Sequence, residues 1–199
     1  KVSDFVLGDF VFYTRWYERL RQAAAKPTDG LETVFYLADY GFTLQYPLLL
    51  APLRRDESEA VSLAKVKLVA DFLDIRLARL LWNSKQIGYS RLQYAMFLVM
   101  RDVRGLSVPE LSAALREKLE AIPETFAGNP NLRVHQQTRF YIHRLLARIV
   151  DHVERQSNLP GRFGEYVGGS GKTRYEVEHI WAYHPERHVE EFQQASEFL

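Results

Sequence analysis

The stretch Tyr175-Glu176-Val177-Glu178-His179-Ile180-Trp181 sets a carboxylate directly beside an imidazole. A carboxylate can hold a hard divalent cation while an adjacent neutral imidazole takes a proton from water. Alternation over residues 173–180 predicts a strand, in which Glu176 and Glu178 share one face and Tyr175, Val177 and His179 the other. Glu178 and His179 therefore meet at one site only if the backbone turns at the strand's end. Just upstream, Gly168-Gly169-Ser170-Gly171-Lys172-Thr173 looks like a phosphate-cradling loop. The position where that motif needs its first Gly holds Tyr166, and a helix precedes and a strand follows, the reverse of the required order. It reads instead as a flexible glycine loop joining two modules.

Other chemistry-bearing residues are weaker signals. His184 and His188 lie four apart, but Pro185 between them starts a helix after His184 and spoils a shared metal-facing geometry. Asp71 and Asp74 share a helix face with Lys67 one turn before, a solvated and partly paired surface. The chain has no cysteine, which excludes a disulfide scaffold, a thiolate zinc site and a cysteine nucleophile. The net charge of +1 excludes a uniformly basic nucleic-acid coat, so any attraction to phosphate must be local. One such place is the helix predicted over residues 132–157. There Arg133, Arg139, Arg144, Arg148 and Arg155 lie outside an apolar face of Val134, Tyr141, Leu145, Ile149 and Val153, and phosphates require only point charges or guanidinium forks.

The elements that carry these residues are mostly helical by period. Ser3-Asp4 opens a helix that runs to Ala25 and is stopped by Lys26-Pro27-Thr28-Asp29-Gly30. Residues 31–40 form a second helix, ended by Gly41 as a left-handed cap. The Pro-bounded run 44–53 is a short helix or a buried connection, too short for a membrane span. Residues 56–85, capped by Ser58, are apolar on more than one stripe and form the central helix. Residues 90–103 follow as another helix. Ser107-Val108-Pro109-Glu110 is a capping box opening a helix to about residue 122. From 158 to 173, Pro160 and five glycines predict a loop that no helix could contain. Residues 1–159 carry 22 Lys and Arg against 18 Asp and Glu, whereas 160–199 carry 4 against 7, so two modules meet near Pro160.

Tyr175 to Ala182, followed by His184-Pro185-Glu186-Arg187-His188, resembles the start of the HNH nuclease module of GmrSD-type restriction endonucleases. The stretch from Phe140 to Ile149 is similar to the helix preceding that module. The resemblance covers about a quarter of the chain, from Phe140 to His188. It implies a mainly α chain: a helical bundle over 1–159, then a glycine-rich loop, strand and helix over 160–199 that begin an incomplete ββα-metal module.

The resemblance also implies Glu178 as metal ligand, His179 as general base, and a divalent metal, Mg2+, in the complete parent module. Double-stranded DNA would be held by Arg139, Arg144, Arg148, Lys172 and Arg174, and foreign or modified DNA cut by phosphodiester hydrolysis in the cytoplasm. The module's downstream Asn and second metal ligand are not supplied, since no Asn follows Asn158. The expectation is a fragment that lacks the family's nucleotide-binding N-terminal domain and the rest of the nuclease, holds no metal tightly, and is inactive alone. The competing reading is a non-catalytic helical module that binds DNA or a partner protein.

Overall fold

The computed structural model describes residues 5–127, 138–168 and 175–177. These divide into two compact units, Lys1–Thr138 and Arg139–Leu199, and the division falls ahead of the composition change at Pro160.

The first unit is all helix among its described residues. A π-helical turn, Phe5–Phe10, runs into α1 (Val11–Ala25), followed by α2 (Glu32–Asp39), α3 (Gln45–Leu50), α4 (Glu59–Trp82), α5 (Tyr89–Val103) and α6 (Val108–Glu120). The sequence expectations hold here, and the local chemistry explains why. Ser58 caps α4 by accepting from the Val61 N–H at 3.3 Å. Glu110 closes the capping box of α6 by accepting from the Ser107 N–H at 2.8 Å. Gly41, at φ 73°, ends α2: Phe42 N–H donates to Leu37 O and Gly41 N–H to Ala38 O, the two bonds of a Schellman turn. The central position expected for α4 is realised, since it packs against α2, α3 and α6. It buries Val66, Val69, Phe72, Leu73, Leu77 and Leu81 on more than one stripe. Lys65, also fully buried on α4, donates to Pro52 O at 3.1 Å and pairs with Glu57 at 2.5 Å.

The second unit contains α7 (Arg139–Gln156) and α8 (Phe163–Gly168). Two expectations need correction here. Residues 163–168 are helical, not loop. The missing local cap is supplied from α7, where Asp151 accepts the Phe163 N–H at 2.8 Å. Phe163 and Tyr166, three apart, then bury one face of the short helix. Second, the packed face of α7 is not its apolar one. Ala147, Asp151 and Glu154 are buried, while Ile149 and Val153 are 60% and 56% exposed. The acids can be buried because donors from residues 155–166 satisfy them. No strand is present in Tyr175–Val177, and the rest of the predicted 173–180 strand lies outside the described residues.

Candidate functional site

The segment leading to the Glu-His pair is anchored on a carboxylate-centred clamp. Asp151 Oδ2 accepts from Arg155 Nε at 2.8 Å, one helical turn away, while its other oxygen caps α8. Gly161 passes so close to this pair that an added Cβ would lie 2.3 Å from Arg155 Nε and 2.6 Å from Asp151 Oδ1. Glycine is needed there for the approach itself.

One turn on, Glu154 Oε1 accepts from Arg162 Nε at 3.0 Å, from Arg162 Nη2, and from the Tyr166 hydroxyl at 2.6 Å. The Arg162 bond first, and the Tyr166 bond second, hold the Glu154 carboxyl below the usual range. The same contact with Glu154 is the leading reason that the Tyr166 hydroxyl is pushed up. Tyr175 sets its ring edge-on to Tyr166, with centroids 4.9 Å apart. Glu176 is met by Arg139 at 3.5 Å. Residues 175 and 176 thus rest on both helices of the second unit.

No protein-family model, curated protein or solved structure matches the chain. The site must therefore be weighed on its own chemistry. Of the residues singled out from sequence, Glu178, His179, Lys172, Arg174, His184 and His188 lie outside the described residues. Arg139, Arg144 and Arg148 lie on α7. Arg139 is exposed and meets Glu176; Arg144 is half-buried, its guanidinium 3.5 Å from the centroid of the Phe140 ring; Arg148 is half-buried. Arg155, from the same stripe, is drawn into the Asp151 clamp.

A divalent cation does not fit the described residues. Glu176 faces Arg139, and no group of three or more acids and histidines gathers among them. Glu178 would offer a single carboxylate, against which Mg2+ keeps its water shell. Asp71 on α4 is confirmed as a partly paired surface acid, accepting from Thr33 Oγ1 at 3.1 Å. Burial is the leading cause that raises its pKa. No described helix is long and apolar enough to cross a membrane.

Sequence reasoning missed a cleft of about 520 Å3 in the first unit. One wall comes from the π-turn and α1 (Leu7, Val11, Phe12, Arg15, Trp16, Arg19), the other from the approach to α4 and its first turn (Arg55, Glu57, Glu59, Ser62). Arg19 pairs with Glu59 at 2.7 Å and its guanidinium lies 5.0 Å from the Trp16 ring centroid. Arg55 faces Asp9 at 3.7 Å. Ser62 is fully buried, and its hydroxyl has no hydrogen-bond partner among the described residues; the same is true of Glu57 Oε2. The signal in sequence was a hydroxyl on the otherwise apolar buried stripe Ser62, Val66, Val69, Leu73. It is too common a feature to be read without the partner wall.

Proposed function

We propose that this chain is the helical region and opening segment of a metal-dependent DNA endonuclease of the GmrSD restriction type, working in the cytoplasm on foreign or modified DNA. The observation that supports this reading is the anchoring of Tyr175 and Glu176 on α7 and α8, immediately before Glu178-His179. A general base must be held within hydrogen-bond reach of the proton it takes, and a fixed stem is the first requirement for that. In the proposal His179 takes a proton from the attacking water, and Glu178 belongs to the metal site that the complete module would form. Arg148, with Lys172 and Arg174, contacts phosphate. Arg139 and Arg144 reach it after or alongside their present contacts with Glu176 and Phe140.

The test uses the protein carried on past Leu199 together with the 199-residue chain. Supercoiled plasmid is incubated with Mg2+, and nicking is read on gels. The extended protein is expected to cleave and the shorter chain not to. His179→Ala should abolish cleavage with DNA affinity nearly intact, because phosphate contacts hold the duplex while the base acts on water. Arg148→Ala should weaken binding at all sequences and lower the salt slope by about 1. Full cleavage by His179→Ala would remove the assignment. DNA binding without cleavage by the extended protein would favour the non-catalytic module instead.

A further inference from the structure

The cleft of the first unit leaves two buried polar atoms unanswered: the Ser62 hydroxyl and Glu57 Oε2. A buried polar atom without a partner is costly, and a protein that keeps one commonly has a use for it. Glu57 is fixed in its charged form's geometry by Lys65, which takes its other oxygen at 2.5 Å. The free oxygen is thus an oriented acceptor. At the rim Arg15 is exposed and makes no hydrogen bond or ion pair among the described residues, whereas Arg19 is engaged by Glu59. Between the two ends lie the apolar side chains of Leu7, Val11 and Phe12.

This order of acceptor, apolar wall and cation defines a ligand. It must carry hydrogen-bond donors at one end, hydrocarbon or an aromatic ring in the middle, and an anion at the other. A phosphate would bring two charges to a rim that holds Glu57 and Glu59 beside a single unengaged guanidinium. A carboxylate brings one. An ammonium supplies three donors, enough for both Glu57 Oε2 and Ser62 Oγ. The volume lies within the range of small-molecule sites, roughly 300–1,000 Å3. We propose that the cleft binds a small zwitterion of the apolar α-amino-acid class, its carboxylate on Arg15 and its ammonium on Glu57 and Ser62. This site is separate from the nuclease reading and does not depend on it.

The test is a titration of the 199-residue chain, followed by NMR chemical shifts, with three probes. L-phenylalanine has both charges, N-acetyl-L-phenylalanine keeps only the carboxylate, and L-phenylalaninamide keeps only the ammonium. Saturable binding of phenylalanine with Kd at or below about 1 mM is expected, weaker binding of the acetylated probe, and none of the amide. Arg15→Gln should weaken phenylalanine binding at least about tenfold, the loss of a charge-assisted bond. Ser62→Ala distinguishes a ligand role from a structural one. It should weaken binding several-fold while raising the denaturation midpoint of the ligand-free chain, since it removes an unsatisfied hydroxyl. The proposal is overturned by absence of saturable phenylalanine binding, by amide binding as tight as that of phenylalanine, or by unchanged affinity in both variants.

Discussion

In the Lys1–Thr138 unit the buried side chains are mostly hydrocarbon: Leu20, Val34, Leu37, Leu48, Leu73, Leu77, Met96 and Leu111 expose no surface. In the Arg139–Leu199 unit the described buried residues are Ala147, Phe163 and Tyr166 together with two acids, Asp151 and Glu154. The difference has a physical consequence. A buried leucine stabilises by about 1.5–3 kcal/mol, with little dependence on pH or salt. A buried carboxylate stabilises only while ionised and fully hydrogen-bonded, and it is destabilising once its donors are removed. The first unit is held by area, the second by a few donors that must all be in place.

The contrast is broken most severely at Phe72, which is 2% exposed on the central helix. Phe72→Ala should destabilise the first unit by about 3–5 kcal/mol through lost burial and the cavity left behind. Urea denaturation followed by tryptophan fluorescence measures this, with Trp16 and Trp82 both in that unit. A loss below about 1.5 kcal/mol would mean that α4 is not the centre of the core.

At the other pole stands Asp151, only 1% exposed, which caps α8 and holds Arg155. Asp151→Ala should open the second unit by about 3 kcal/mol, because it leaves the Phe163 N–H and the guanidinium without their acceptor. Asp151→Asn should cost less, since its amide oxygen can still accept the Phe163 N–H, and the partly exposed Arg155 regains water. Hydrogen exchange resolved by segment reads this, with amides of 163–168 exchanging faster in the alanine variant and those of α4 unchanged. Equal effects of the two substitutions would show that the cap is irrelevant.

Acid separates the two units by sign. The folded-state pKa of Glu154 lies below its unfolded value, so its contribution is complete above about pH 4.3 and is lost as pH falls from there toward the folded value. Asp71 in the first unit is shifted the other way, chiefly by burial, so protonation relieves a cost as pH falls. Asp56, Asp102 and Glu110, also in the first unit, are held down by partners at the surface, where water screens the benefit. Below pH 4.3 the α7–α8 amides should therefore lose exchange protection before those of α4, and Glu154→Gln should erase the pH dependence of that loss. Earlier loss in α4 would contradict the division.

The same contrast explains what could be read in the sequence. Helices in the first unit carry their own instructions: Ser58 and Ser107 cap locally, Gly41 stops α2, and the apolar period of residues 59–82 has one consistent meaning. In the second unit the instructions are non-local. The cap of α8 sits on another helix, eleven or more residues earlier than the amides it serves, by its placement at Asp151. Glycines 161 and 164 are read locally as breakers, although Gly161 is there for close approach to the clamp. Periodicity named Ile149 and Val153 as the packed face because it cannot count the donors that make Asp151 and Glu154 buriable. The cleft escaped for a related reason, since its two walls come from segments about forty residues apart, as the Arg19–Glu59 pair shows.

The smallest expected effect sharpens the comparison at two helix ends of the same shape. α4 and α7 both finish in a Schellman turn, with Lys85 N–H donating to Leu80 O and Leu159 N–H to Glu154 O. The left-handed residue is Ser84 in one, at φ 56°, and Asn158 in the other, at φ 59°. A serine there suffers the Cβ clash of the left-handed region, whereas asparagine visits that region more readily. Ser84→Gly should stabilise the first unit by about 0.5–1 kcal/mol, less the entropy that glycine adds to the unfolded chain. Asn158→Gly should change the second by no more than a few tenths of a kcal/mol. Denaturation midpoints and segment-resolved exchange compare the two. A gain at Asn158 as large as that at Ser84 would place the strain in the turn itself and not in the residue that occupies it.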